Sequence, residues 1–254
     1  MKQDIALVVS DAHLGAAPDS SEKAFLSFLE YASQAEELVI NGDLFDFWFE
    51  YKTVILREQF RPLKILADLV DSGTRVRLVA GNHDAWAESF LSDEIGLELI
   101  PGPERTVIGG RRAYLAHGDG LIPNERAYRA LRRVIRSRPF RTLFRNVHPD
   151  HSARAVRAVS STRKRAAHAL AAKERAGPDG PPPLHRTTSL ADYATRLLAE
   201  SPELELVVLG HSHQPVLKEV EPGRHYLNAG DWVTHCTYGV VGSEGVELKR
   251  WNPR

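Results

Sequence analysis

Apolar positions follow two rhythms in alternation along the first hundred residues. Ile5–Val9 is an unbroken apolar run of strand length, and Glu22–Ala32 then places Phe25, Leu26, Phe28 and Leu29 at helical spacing. The pair recurs. Leu38–Ile40 reads as a second strand, and Leu63–Val70 as a helix with Leu63, Leu66, Ala67 and Val70 on one side and Gly73 as its stop. Arg75–Ala80 is a third strand. This β-α-β-α-β alternation predicts parallel strands with helices packed outside them.

Beyond Leu97 the elements shorten. Gly109-Gly110 is a hairpin signal between Thr106–Ile108 and Arg112–Ala116. Residues 124–175 read as two or three basic helices, and Gly177–Pro183 as a loop. Ser189 and Asp192 form a capping-box pattern that predicts a helix start, with Leu190, Tyr193, Ala194, Leu197 and Leu198 on its buried face. Strands return at Leu204–Leu209, Val216–Val220, His225–Asn228, Thr237–Val241 and Val246–Trp251. The expectation is an α/β body over 1–120 and 190–254, interrupted by a basic helical insertion over 121–189.

The chain has 254 residues, enough for one large domain with an insertion. It carries 33 basic and 33 acidic residues, and that balance hides a division. Residues 120–190 hold 16 Lys/Arg against 4 Asp/Glu, leaving 17 basic and 29 acidic residues elsewhere. An acidic body suits metal binding. A basic segment calls for an anionic partner: a membrane surface, a phosphorylated substrate or nucleic acid. With Cys236 as the single cysteine, an intrachain disulfide framework is excluded. The opening apolar run is too short for a secretory signal, and no stretch approaches the ~20 apolar residues of a membrane span. A cytoplasmic protein is expected.

Five blocks rich in Asp, His and Asn punctuate this pattern: Asp11-Ala12-His13, Gly42-Asp43-Leu44-Phe45-Asp46, Gly81-Asn82-His83-Asp84, His117-Gly118-Asp119 and Gly210-His211-Ser212-His213. Apolar runs lead into them, so carboxylates, imidazoles and a carboxamide arrive repeatedly at strand ends. Asp11 and His13 are two apart and can converge on one ion. Gly42 lets the backbone turn, freeing Asp43 to reach between two ions. A shared carboxylate offsets the repulsion of two dications about 3.5–4 Å apart. N and O donors without thiolate favour Mn²⁺, Fe²⁺ or Zn²⁺ over Ca²⁺. His148, His151, His168, His185, His225 and His235 lack such context and are read as non-ligands, although His225 and His235 lie either side of Gly230-Asp231-Trp232.

The ordered blocks resemble those of the calcineurin-like metallophosphoesterases: D-x-H, G-D-x-x-D, G-N-H-D/E, H and G-H-x-H. The resemblance runs from Asp11 to His213. It implies a four-layer αββα sandwich and a dimetal hydrolase that activates water for in-line attack on phosphorus. Carried over by position, one metal takes Asp11, His13, Asp43 and His213. The other takes Asp43, Asn82, His117 and His211. His83 matches the catalytic histidine, and Asp46 and Asp84 match supporting carboxylates. A hydrogen bond to Asp46 or Asp84 is expected to hold His83 in its useful state. Two divalent ions are implied, Mn²⁺ first, with Fe²⁺ or Zn²⁺ as alternatives.

The aromatic extension Gly42-Asp43-Leu44-Phe45-Asp46-Phe47-Trp48 is similar to that of bacterial UDP-2,3-diacylglucosamine diphosphatases of lipid A synthesis. So are Gly230-Asp231-Trp232 and the place of the basic insertion. That likeness implies a cap receiving acyl chains, cleavage of a pyrophosphate to UMP and diacylglucosamine 1-phosphate, and substrate contacts at Asn82, Glu125 and Tyr128. It also implies peripheral attachment to the inner face of the bacterial inner membrane. Two features depart from the family: His83 stands where its members often carry Arg, and the surroundings of Asp231 differ. Apolar stripes Tyr128, Leu131, Ile135 and Phe140, Leu143, Phe144, Val147 lie among arginines, suited to acyl chains or to an ordinary core. The rival readings are a sister phosphoesterase acting on nucleotides or nucleic acid, a non-catalytic scaffold on the same fold, and a membrane-surface binding module. The oligomeric state is not legible.

Overall fold

The computed structural model describes residues 2–121, 130, 133–152, 154 and 185–252. Glu125, Tyr128, Leu131, His168 and the expected loop at 177–183 lie outside the described residues. Strands β1 (Gln3–Val9), β2 (Ala35–Ile40), β3 (Arg75–Val79) and β4 (Glu98–Ile100) run parallel, with helix α1 (Asp19–Tyr31) between the first two and α2 (Phe60–Asp71) before the third. Strands β10 (Thr237–Gly242) and β11 (Gly245–Arg250) complete a six-stranded sheet of order β11-β10-β1-β2-β3-β4. The second sheet has order β5-β6-β7-β9-β8. Its strands are β5 (Glu104–Ile108), β6 (Arg111–Leu115), β7 (Leu206–Leu209), β8 (Pro215–Glu221) and β9 (Arg224–Ala229).

Burial on both faces explains the continuous apolar runs of β1, β2 and β7. One face of each sheet meets the other, where Ala6, Val8, Val39 and Val79 pack on Leu115, Leu206, Val208 and Leu227. The outer face of the first sheet takes Phe25, Phe28 and Leu29 of α1 and Leu63, Leu66 and Leu69 of α2. The outer face of the second takes Leu190, Ala194 and Leu198 of a long helix, His185–Glu200. The result is the expected αββα sandwich. Gly109 and Gly110 take φ values of 50° and 77°, the left-handed pair that a two-residue hairpin between β5 and β6 requires.

Several element ends shift by two or three residues from the sequence pattern, and one helix start differs by more. The long helix already begins at His185, so Ser189 lies inside it and caps nothing. In chain order that helix is α4, because a further described helix, α3 (Arg138–Arg145), precedes it in the basic segment. Ser137 caps α3, accepting from Phe140 N at 3.4 Å, and Pro139 occupies its first turn. Among the described residues, no helix is long and apolar enough to cross a membrane.

Candidate metal centre

All five blocks fall at one edge of the sandwich, just beyond the strands that precede them. The first two continue the β1–β2 pairing as a zipper. Asp11 N donates to Gly42 O, His13 N to Asp43 O and Leu14 N to Leu44 O, each at 3.0 Å. The fourth and fifth meet through Gly210 N and His117 O at 2.7 Å, and the fifth meets the first through His211 N and Asp11 Oδ2 at 3.1 Å. Asp11, His13, Asp43, His211 and His213 all have positive φ, between 46° and 64°. Residues with a Cβ adopt that region at a cost of about 1–3 kcal/mol each, and only where surrounding bonds dictate it. Here those bonds are the ones that turn the five side chains to a common point.

Three donor groups result among the described residues. Asp11, His13 and His213 form one and Asp43, His117 and His211 a second, and these two match the expected dimetal pattern; His13, Asp46 and His83 form the third. Within the first, His213 Nε2 lies 3.4 Å from both Asp11 Oδ1 and His13 Nε2. Donors around one tetrahedral ion with bonds of about 2.1 Å lie roughly 3.4 Å apart, so the spacing fits a metal. Asp43 Oδ2 sits 3.2 Å from His117 Nε2 and 3.9 Å from His13 Nε2, between the first two groups. Asp11 Oδ1, His117 Nε2 and Asn82 Oδ1 are buried and make no hydrogen bond. Polar atoms so placed are costly unless a cation takes them. The residues fit two divalent ions.

Neighbouring acceptors fix the rings. His117 Nδ1 lies 2.9 Å from the Asn41 carbonyl, which can only accept, so that nitrogen carries the proton and Nε2 faces Asp43. His213 Nδ1 lies 3.2 Å from Asp231 Oδ2, leaving Nε2 toward Asp11. Burial opposes charge throughout, yet the charges counter one another. Burial alone would lift the Asp43 carboxyl, but His117, His83 and His13 hold it well below the usual carboxylate range. His117 is driven well above its usual value by Asp43 despite burial, and His213 to about 9 by Asp11 and Asp231 despite burial. Burial pushes His13 well down and Asp11 up.

His83 stands beside the first two groups, its ring edge-on to His13 with centroids 4.8 Å apart. Its Nδ1 is hydrogen-bonded to Asp46, through the backbone carbonyl; the Asp46 carboxylate is 4.0 Å away. Asp84 does not touch His83 through its side chain. Its carboxylate is wholly buried and accepts from Leu44 N at 2.9 Å and Gly81 N at 2.6 Å, bracing the second block against the third. Burial, then the Asp43 charge, raise it to about 6. Glu125 and Tyr128 lie outside the described residues.

A family model described as calcineurin-like phosphoesterase matches residues 6–215, most of the chain and all five blocks. The chain belongs to the calcineurin-like phosphoesterase family. Membership makes it a metal-dependent hydrolase. Its relatives include proteins named UDP-2,3-diacylglucosamine hydrolase. That of Porphyromonas gingivalis is 29% identical over 91% of both chains. That of Ralstonia nicotianae is 30% identical over 88% of this chain and 82% of the relative. Ectopseudomonas mendocina has one 30% identical over 89% of both. Among solved structures, Vacuolar Protein Sorting 29 from Cryptosporidium parvum overlaps with a TM-score of 0.46 at 14% identity, over 97% of this chain and 95% of that one.

Two residues that contact the candidate site escaped the sequence reading. Asp231 belongs to a block that was visible, but its pairing with His213 joins residues 18 positions apart. It also accepts from Thr234 N and His235 N at 2.9 Å, and His235 Nδ1 lies 3.1 Å from it. Arg136 was one arginine among many. Only the structure puts its guanidinium against Gly81. The apolar stripe of α3 divides. Phe144 packs on Phe49, Trp86 and Phe47 at centroid distances of 4.7, 5.1 and 5.6 Å, while Leu143 is 68% exposed.

Proposed function

We propose that this phosphoesterase hydrolyses the pyrophosphate of UDP-2,3-diacylglucosamine, giving UMP and 2,3-diacylglucosamine 1-phosphate. The observation that carries the substrate is the set of relatives of that name, aligned over about nine-tenths of both chains. The donor chemistry supports the reaction type. Asp11, His13, Asp43 and His213 would hold one ion, and Asp43, Asn82, His117 and His211 the other, with Mn²⁺ the favoured metal. Bound there, the ions supply Lewis acidity and an activated water.

The chain's own residues do the rest. His83 Nδ1 carries a proton, because its partner is a carbonyl, and this leaves Nε2 for the reacting group. A second proton on Nε2 would serve the leaving oxygen. His83 N donates to Asp43 Oδ1 at 2.9 Å, so the proton donor and the shared carboxylate move as one unit. Residues 121–189 act as a cap in this reading, with Glu125 and Tyr128 touching substrate. Exposed Leu143 and Val147 would face acyl chains, and exposed Arg138 would meet an anionic membrane. In this reading the protein works at the cytoplasmic face of the inner membrane.

The test offers Mn²⁺-loaded protein UDP-2,3-diacylglucosamine and, in parallel, a cyclic nucleotide, single-stranded DNA and an aryl phosphate. UMP release that disappears in Asp43→Ala supports the proposal. Turnover of the other substrates alone refutes it, and liposome binding with no turnover at all would favour a membrane-surface module.

A further inference from the structure

We infer that Arg136 is a positioning residue for the Asn82–His117 side of the metal centre, which makes the basic segment part of that centre and not only a lid over it. The inference rests on the reading that Asn82 and His117 share an ion. Arg136 Nη2 donates to the Gly81 carbonyl at 2.8 Å and lies 3.5 Å from Asp119 Oδ2. Gly81 immediately precedes Asn82, and Asp119 follows His117 by two residues. The two loops leave different sheets, one after β3 and the other after β6. One guanidinium therefore spans the seam between sheets at the point where two donors of one ion converge.

The contact is well shielded, with the Arg136 side chain 24% exposed and that of Asp119 3%. Hydrogen bonds from a charged donor in such surroundings are stronger than neutral ones. Arg136 brings a positive charge toward a site for cations, and the Asp119 carboxylate offsets it. The basic segment grips the same loop twice more. Trp86 Nε1 donates to the Ile135 carbonyl at 3.1 Å. Glu88 pairs with Arg141 at 2.8 Å and also with Arg145. All three grips fall on residues 81–88, the loop that carries Asn82 and His83. Loosening the segment frees that loop for every substrate, including one too small to reach the segment.

The experiment compares Arg136→Ala, Arg136→Lys and, in parallel, His211→Ala, using calorimetric Mn²⁺ titration and turnover of a small aryl phosphate. Arg136→Ala is expected to weaken one Mn²⁺ binding event by about tenfold or more, as loss of a partner behind the ligands does, and to leave the other event unchanged. Its kcat on the aryl phosphate falls more than KM rises. Arg136→Lys recovers part of both effects, because it keeps a charged donor while its shorter, more strongly hydrated side chain reaches the Gly81 carbonyl and Asp119 less well than Nη2 does. Unchanged Mn²⁺ binding and aryl phosphate turnover in Arg136→Ala would overturn the inference. So would equal loss of both binding events in the Ala and Lys variants together with a collapse of the circular dichroism. Wild-type Mn²⁺ binding by His211→Ala would instead overturn the two-ion reading beneath it.

Discussion

Gly81→Ala adds a single methyl group to the tightest point of the site. That methyl would sit 2.1 Å from Asp43 Oδ1, 2.5 Å from Asp43 N and 2.9 Å from Asp43 Cγ. The backbone φ of Gly81 is not positive, so the effect is one of space alone. Ordinary contact begins near 3.4 Å, so the carboxylate oxygen must retreat by about 1.3 Å. The backbone nitrogen offers no flexible escape, since Asp43 is held at a φ of 54° by the zipper to the first block. Metal–ligand bonds tolerate about 0.2 Å. Asp43 lies between two donor groups, so both ions of the proposed centre would be affected. Overpacking should lower stability by about 1–3 kcal/mol, a shift of several degrees in Tm. Turnover should fall by about 100-fold or more, the scale of a 1 Å misplacement. Metal content by mass spectrometry, aryl phosphate turnover and thermal melts measure the three effects. Gly102→Ala is the control, because a methyl there meets nothing within 4 Å. A Gly81→Ala protein with two ions per chain and turnover within about threefold of wild type would refute the reasoning.

His83→Ala should lower kcat while leaving the metal content intact; loss of both would make His83 a ligand. Loading the protein with Mn²⁺ at neutral pH should release protons, because Asp43 raises His117 well above its usual value, Asp11 and Asp231 raise His213 to about 9, and each ring would have to give up a proton to ligate. Affinity should therefore fall about tenfold per pH unit for each proton displaced as the solution is acidified, and a flat profile between about pH 6 and 8 would contradict this. Asp231→Ala removes the partner of His213 Nδ1 and should weaken metal binding by about 10- to 100-fold, read by chelator competition. Trp86→Ala deletes a ring packed against Phe49, Phe140 and Phe144 and should cost about 3–5 kcal/mol in urea unfolding; a much smaller loss would mean that α3 docks without it.

The sequence by itself determined the α/β alternation and the candidate metal donors, because both are written in short-range signals, while the four-layer architecture was implied by the family resemblance. Apolar runs such as Ile5–Val9 and Leu206–Leu209 mark strands buried on both faces, and the donor blocks follow them within a few residues. A strand end is a local feature, so the candidate ligands were legible one by one. Only the tertiary structure decided how distant residues meet. It turned Asp84 into a brace between two loops, put Asp231 behind His213, and set Arg136 across two sheets. No spacing encodes those pairings, because they depend on the order β11-β10-β1-β2-β3-β4 lying over β5-β6-β7-β9-β8. The same reason explains the helix start. Ser189 and Asp192 satisfy a local capping pattern, but burial of Leu190, Ala194 and Leu198 against the second sheet goes with a helix that starts earlier. It explains α3 as well: its apolar spacing was plain in the chain, and which half faces the protein was settled by where Trp86 and Phe49 lie.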